Sequence, residues 1–313
     1  MKILITGGAG FIGSHVAQFY FDNGNDVYVL DNLSTGFRDN IKFIKDDYFF
    51  KEDIQNKDVI KEILIEYDFE VIIHLAAVVS VVETINKPVN SNEINIDSTL
   101  NILNVIKNYN LNIRRFVFAS SAAVYGNNLE LPNKTGVAVN PQSPYAIQKF
   151  AGEQYSKIFH TLYDLPTVSL RFFNVYGPKQ DPKSPYSGVL SIMRDKYINN
   201  EVFTFYGDGT QTRDFVYVKD IVQAIDIVIS NQNAIGGIYN VGTGKPTSLI
   251  EIFKAYEKLY ELQIDFRKTN EREGDIKHSY ADINDLISLG YKPNYDLDIG
   301  LFNYYKFSKQ EVH

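Results

Sequence analysis

The sequence predicts an α/β protein, a Rossmann-type doubly wound parallel sheet with a smaller mixed α/β substrate-binding domain at its C-terminal side. Two observations carry this. The first thirty-one residues read as strand, glycine-rich turn, helix and a second strand closing on an acid. Short apolar runs then alternate with helical spacings to about residue 173, without internal repeats, and beyond that the pattern loosens.

Met1-Lys2-Ile3-Leu4-Ile5 is a short apolar run of buried-strand type, and Thr6-Gly7-Gly8-Ala9-Gly10-Phe11-Ile12-Gly13 follows it. In such a turn one glycine adopts positive φ, one lets the backbone approach a pyrophosphate, and the last lets the helix pack closely on the strand. Ser14 to Asn23 has helical spacing, and Val27 to Leu30 is a second strand ending at Asp31. The helix N-terminus offers free N–H groups to phosphates, while a carboxylate at Asp31 accepts from a ribose diol and repels a 2′-phosphate. This unit points to a dinucleotide, NAD rather than NADP.

Asn32 to Asp47 reads as a polar connection with a strand around Ile41 to Ile44, and Phe49 to Ile54 as an extended piece. That piece sets Asp53 near an adenine, although a solvated loop acid fits the residue equally well. Lys57 to Tyr67 is an amphipathic helix, and Val71 to Ala77 a buried strand whose small end, Leu75-Ala76-Ala77, suits close passage of a cofactor. His74 within it reads as a satisfied core histidine. Asn92 to Asn108 is a helix with too many apolar residues for one stripe, as expected of packing on both the sheet and a partner subunit.

Arg115 to Ala119 is the next strand, leading into Ser120-Ser121, and Tyr145 opens a helix to about Tyr163. Thr167 to Phe173 is a further strand. Val189 to Asn199 then reads as a helix, Phe203 to Tyr206 as a strand, and Phe215 to Val218 with Asp220 to Ile229 as a return to the first domain. The cofactor domain is expected over 1–173 with returning segments near 214–242 and 278–288. The substrate domain takes 174–213, 243–277 and 289–313.

With 313 residues, 44% hydrophobic and 22% charged, the chain has the composition of a globular protein with a full core. Its net charge of −7, without a basic run longer than a pair, speaks against nucleic acid or an anionic membrane as partner. The absence of cysteine excludes disulfides, thiol nucleophiles and thiolate metal sites. The opening residues do not resemble a signal peptide and no run is long enough to span a bilayer, so a cytoplasmic location is expected.

Tyr145 and Lys149 stand four apart at a helix start and share a face. A tyrosine with its ordinary pKa near 10 is a poor base at neutral pH. An ammonium beside it stabilises the phenolate, and a serine from a strand end, Ser121, can donate to the same substrate oxygen. The plain alternative is an exposed helical pair.

Taken in order, Thr6-Gly7-x-x-Gly10-x-x-Gly13, Asp31-Asn32-Leu33-Ser34-Thr35-Gly36, Ser120-Ser121, Tyr145-x-x-x-Lys149 and Arg171-Phe172-Phe173-Asn174 resemble the extended short-chain dehydrogenase/reductases. The chain is most similar to their nucleotide-sugar 4-epimerases, nearly end to end. The resemblance implies that Tyr145 takes the proton of the sugar 4-OH as hydride passes to tightly held NAD. The 4-ketose turns over, and hydride returns to its other face, without any metal. Ser121 steadies the 4-oxygen, and Lys149 holds the nicotinamide ribose and lowers the tyrosine pKa.

The resemblance also implies cofactor contacts from Gly7, Gly10, Phe11, Ile12 and Gly13, from Asp31, Asn32, Ser34, Thr35 and Gly36, and from Asp53, Ile54, Leu75, Ala76, Ala77 and Asn95. Asn174, Arg213, Arg272 and Asp275 are assigned to the diphosphate, sugar and ribose, although each arginine taken alone reads equally as a surface ion pair. Val189, Leu190 and Phe205 are assigned to the uracil. Ala122 and Ala123 replace the acids that related 4,6-dehydratases carry after the serine pair, which disfavours loss of water. Ser279 stands where glucose-restricted epimerases hold a tyrosine and leaves room for a 2-acetamido group. The stretch Gln180 to Gly188 resembles the group that accepts such sugars.

The resulting expectation is an NAD-dependent epimerase of UDP-GlcNAc and UDP-GalNAc, with UDP-glucose and UDP-galactose as a further pair. Alternatives are a UDP-glucose-only enzyme, a UDP-glucuronate 4-epimerase, or a non-catalytic NAD-binding regulator of the same fold. A homodimer through helices near Asn92–Asn108 and Tyr145–Tyr163 is implied.

Overall fold

The computed structural model describes residues 1–181, 188–271 and 276–311. β1 (Lys2–Thr6) enters a glycine turn and α1 (Phe11–Asp22), then β2 (Asp26–Leu30) and the two-residue β3 (Phe49–Phe50). α2 (Lys57–Tyr67) leads to β4 (Val71–His74) and the short α3 (Val81–Asn86) and α4 (Pro88–Asn92). A π-turn over Glu93–Asp97 joins α4 to α5 (Ser98–Asn108), and β5 (Arg115–Ser121) follows. α6 (Pro144–Tyr163) begins at Ser143, whose hydroxyl caps Ala146 N–H, with Pro144 in the position that needs no donor. β6 (Thr167–Phe172) ends this half.

The sheet runs β3-β2-β1-β4-β5-β6 and is wholly parallel. Its central strands are buried on both faces and mostly apolar, with Ser120, Ser169 and Arg171 as buried polar residues in β5 and β6. Ile3 and Ile5 face a core shared with α1, while Leu4 faces one shared with α2 and α5. The strand order reverses between β1 and β4, where doubly wound sheets open a crevice at their carboxyl ends.

Past β6 the chain forms β7 (Asn174–Tyr176), α7 (Val189–Asn199), β8 (Phe203–Tyr206), β9 (Thr212–Arg213) and β10 (Phe215–Tyr217), which pairs with β7. α8 (Val218–Ser230) packs against α1, and β11 (Ile238–Val241) joins the main sheet beside β6 as its seventh strand. β12 (Thr247–Ser248), α9 (Leu249–Tyr260), β13 (Phe266–Thr269), β14 (His278–Ser279), α10 (Asn284–Ile287) and α11 (Leu297–Glu311) complete the chain. α7, α9, α11 and β8 enclose an aromatic core of their own, including Tyr197, Phe203, Phe205, Phe253, Tyr256 and Tyr304. No helix among the described residues is long and apolar enough to cross a membrane.

One expected strand is absent. Arg38–Ile41 is a 3₁₀ turn, and the chain to Ile44 is loop rather than sheet. Ile41 and Ile44 are core anchors, and the Arg38 guanidinium donates to both their carbonyls at 2.8 and 2.6 Å, which holds the backbone curled.

Candidate functional site

A cleft of about 520 Å³ opens over the carboxyl ends of β1, β2, β4 and β5. Gly7, Gly10, Phe11, Ile12, Gly13, Asp31, Asn32, Ser34, Thr35, Asp53, Ile54, Leu75, Ala76 and Ala77 all line it. Gly7 takes φ +69°, and a Cβ there would stand 2.8 Å from Ala76 N. A Cβ on Gly13 would lie 2.2 Å from the Gly7 carbonyl oxygen, so these glycines make the cradle by direct backbone contact. Gly10 is the N-cap of α1, and no side chain caps the helix, which suits its first N–H groups to an anion.

Asp31 accepts from Ala9 N–H at 2.9 Å and Leu33 N–H at 2.8 Å, which ties the strand tip to the glycine turn. Burial raises its carboxyl above the ordinary range, and the backbone donors at Leu33, Ala9 and Gly10 oppose that. Asn32 donates to Asp53 at 2.8 Å, so the two polar residues form one edge of the cleft. Glycine cradle, uncapped helix end and strand-tip carboxylate together fit the pyrophosphate and ribose of a dinucleotide.

His74 is the core histidine expected. Its Nδ1 pairs with Thr6 Oγ1 at 2.7 Å and its Nε2 with Thr99 Oγ1 at 2.9 Å. Thr99 donates to the Asn95 carbonyl, and Thr6 accepts from Ala76 N–H, which assigns the proton to Nε2. Burial lowers its pKa to about 3, so it is neutral.

Two expected cofactor contacts lie elsewhere. The Asn95 side chain is buried and fully engaged, accepting from Val78 N–H at 2.8 Å and donating to the Val78 carbonyl at 2.9 Å and Gln148 at 2.7 Å. It fixes the wall of the cleft from behind. Gly36 does not line the cleft; a Cβ there would meet Ala9 C at 2.8 Å, so its role is to let the following loop close on the glycine turn. That loop supplies Asn40, whose side chain donates to the Ala9 carbonyl at 2.9 Å, and Lys179 donates to the Asn40 carbonyl at 2.8 Å. Both line the cleft and were not expected there. Only the fold brings residues so distant in sequence together.

Ser121, Tyr145 and Lys149 meet at the other end of the same cleft. The Ser121 hydroxyl accepts from Ala123 N–H at 3.2 Å. Lys149 Nζ donates to the Ala119 carbonyl at 2.9 Å and lies 6.0 Å from the Tyr145 ring centre. Burial brings the Lys149 amine down to about 8. Burial also raises the Tyr145 phenol above its ordinary value, and the nearby Ser121 hydroxyl opposes this. Burial is thus the larger of the two effects on the phenol, and the lowering expected from Lys149 is not seen in the protein alone. Ala122 and Ala123 form the 3₁₀ turn after β5 and carry no acid to this end.

The expected nucleotide-sugar residues divide. Asn174 is exposed at the start of β7 and lines the cleft. Arg213 does not line it; its Nη1 donates to the Thr212 carbonyl at 2.9 Å. Leu190 and Phe205 are 1% and 2% exposed inside the aromatic core, and Val189 packs on that core, so none lines the cleft. Alternation along β8 turns Phe203 and Phe205 inward and leaves Tyr206 exposed, a pattern legible in the sequence. Ser279 is buried in β14 beside Arg213, and Asn133 Nδ2 stands 3.5 Å from its hydroxyl, again away from the cleft lining. Arg272 and Asp275 lie outside the described residues, as does 182–187 of the stretch expected to accept N-acetylated sugars.

Comparison with known proteins follows the same lines. A putative UDP-glucose 4-epimerase of Methanocaldococcus jannaschii is 41% identical over 96% of this chain and 95% of its own length. The UDP-N-acetylglucosamine 4-epimerase of Methanobrevibacter ruminantium, solved with UDP-N-acetylmuramic acid, superposes with a TM-score of 0.92 at 38% identity, covering 99% of this chain and 98% of that one. The UDP-glucose 4-epimerase of Thermotoga maritima, solved with UDP-glucose, superposes with a TM-score of 0.92 at 32% identity over the full length of both. Residues 3–242 match the NAD dependent epimerase/dehydratase family, and the chain belongs to it.

Proposed function

We propose that the protein is an NAD-dependent UDP-sugar 4-epimerase, with UDP-GlcNAc and UDP-GalNAc as its preferred pair and UDP-glucose as a further substrate. The observation that carries this is the meeting of Ser121, Tyr145 and Lys149 in the cofactor cleft, with Ala122 and Ala123 where elimination of water would need an acid. Bound NAD supplies the hydride acceptor and, as nicotinium, positive charge beside the phenol. Tyr145 accepts the proton of the 4-hydroxyl and returns one to the 4-oxygen after the ketose has turned. Ser121, in the same cleft lining as Tyr145, donates to that oxygen and keeps it within reach. Lys149, fixed by the Ala119 carbonyl, holds the nicotinamide ribose and adds its charge to the phenolate.

The N-acetyl preference rests on the resemblance, which sets the tyrosine of glucose-restricted epimerases at Ser279. A UDP-glucuronate 4-epimerase would need donors for a C6 carboxylate, which Ala122 and Ala123 do not offer. We read the protein as a cytoplasmic homodimer. Ile147, Tyr155, Ile158 and Leu162 form an exposed apolar stripe on α6, continued by Val82, Ile85 and Val89 of α3 and α4. α5, also expected there, buries Ile102, Leu103, Val105 and Ile106 inside the fold.

Proton NMR of the purified protein with UDP-GlcNAc and with UDP-glucose, without added NAD, tests the reading. New anomeric signals of UDP-GalNAc support it. No product in either tube, even after NAD is supplied, refutes it.

A further inference from the structure

Arg171 belongs to the run that marks the family resemblance, yet nothing above gives it or its partner Glu153 a task. Both are buried, at 2% and 0% exposure. Arg171 grips the Glu153 carboxylate with two nitrogens, Nε to Oε2 at 2.8 Å and Nη2 to Oε1 at 2.6 Å. The Ser120 hydroxyl adds a third donor to Oε2 at 2.9 Å. The far side of the guanidinium donates to Tyr125 Oη at 2.9 Å, and Tyr125 donates to Asn240 at 2.7 Å. A fully enclosed charged network therefore joins α6, the end of β5, β6 and β11.

Its placement relative to the site is what gives it meaning. Glu153 is one helical turn beyond Lys149 and two beyond Tyr145, on the same face of α6. Ser120 is the residue before Ser121. Along β5, Phe116 and Phe118 belong to the core beneath α6, and alternation turns the Ser120 hydroxyl the same way, onto Glu153, with Ser121 on the opposite face; both serines border the cleft. The Ser120–Glu153 bond thus locks the helix carrying Tyr145 to the strand end carrying Ser121. Arg171 holds both oxygens of the carboxylate, so Glu153 is committed to this contact rather than to Lys149, its ordinary i, i+4 partner on a helix.

We propose that Glu153, held by Arg171, is a positioning residue that sets the Tyr145–Ser121 alignment through the hydroxyl of Ser120. The inference rests on the epimerase reading above. Replacing Glu153 or Arg171 strands a buried charge, so the test uses Ser120, whose hydroxyl can be removed with the ion pair left whole. Ser120→Thr and Ser120→Val are nearly isosteric and differ in that hydroxyl. The readouts are steady-state epimerisation, single-turnover reduction of bound NAD at 340 nm, and melting temperature.

The Val variant is expected to fall about tenfold below the Thr variant in kcat and in the single-turnover rate, with KM within about twofold. In a Ser121→Ala background the same Thr-to-Val difference should shrink below about twofold, because the hydroxyl being aligned is gone. Equal kcat for the two variants overturns the proposal, as does a difference of unchanged size in the Ser121→Ala background. A difference confined to melting temperature makes the network structural only, and overturns it too. Wild-type protein that turns over no UDP-sugar counts against the functional reading. Wild-type turnover with equal Thr and Val variants counts against this inference alone.

Discussion

Gly13 and Gly7 touch backbone to backbone, with the position of a Cβ on Gly13 only 2.2 Å from the Gly7 carbonyl oxygen. That oxygen belongs to main chain, so no rotamer change relieves the contact. Gly13→Ala is expected to push α1 off the turn and weaken NAD binding at least tenfold, while the sheet core survives. Titration calorimetry checks the affinity, and the stabilisation given by saturating NAD should fall with it. Unchanged affinity would mean that α1 can shift without cost to the cradle.

Asp31 is both a ribose acceptor and a brace for the turn through Ala9 and Leu33 N–H. Asp31→Asn keeps its size but replaces one oxygen with a donor and removes the charge. NAD affinity should drop by about tenfold, on the scale of one charge-assisted hydrogen bond. Discrimination against NADP should shrink with it, measured as the ratio of the two dissociation constants. An unchanged ratio would place the source of discrimination elsewhere in the cleft.

How much of this was legible beforehand follows from the range of the interactions. Gly7 to Asp31 is a single strand–helix–strand unit, so its local pattern and its site coincide. Tyr145 and Lys149 are separated by one helical turn, and the helix rule alone pairs them. Asn95 is placed by contacts far along the chain, with Val78 and Gln148, which no local pattern shows, whereas the inward turn of Phe205 follows from the alternation of β8. Ile41 and Ile44 read as a strand and are loop, for another reason. Two apolar residues three apart suit a curled loop with buried anchors as well as a strand, and Arg38 decides for the loop.

Lys149 gives a pH signature. Its folded pKa of about 8 lies below the model-peptide value of about 10.4. The unfolded chain therefore binds more protons between these values, and the burial penalty is fully present below pH 8 and relieved as pH rises toward 10.5. Lys149→Met removes that penalty and should abolish turnover. In the protein without NAD, the stability of the Met variant relative to wild type should be highest near pH 7. It should decline by up to about 3 kcal/mol as pH rises through the window, a ceiling set by the size of the shift. Denaturant melts at pH 7, 9 and 10.5 measure the difference, and a flat profile would show that Lys149 keeps an ordinary pKa.

Tyr145→Phe removes the proton acceptor and leaves the ring, so fold and NAD affinity should persist. Turnover should fall by a factor on the order of 10³, the scale of general acid–base catalysis. The NMR assay gives the rate, and titration with NAD shows that the cleft is intact. Residual turnover within tenfold of wild type would dismiss Tyr145 as the base, and with it the mechanism proposed.

Ser279 tests the substrate preference. It is 8% exposed, held in β14 beside Arg213, with Asn133 at 3.5 Å from its hydroxyl. A tyrosine there is far larger than the buried serine, so its ring displaces Asn133 or leaves β14 toward the side where the resemblance puts the sugar. The second outcome is favoured because Asn133 is itself anchored, its N–H on the Tyr280 carbonyl and its own carbonyl accepting from Asn240 and Asp282. Ser279→Tyr should therefore suppress UDP-GlcNAc turnover at least tenfold and leave UDP-glucose turnover within about threefold, since one lost pocket contact or clash of methyl size carries 10–200-fold discrimination. Parallel loss of both activities would show that the ring disturbs the Asn133 anchor instead. Retention of both would remove Ser279 from the specificity of the site.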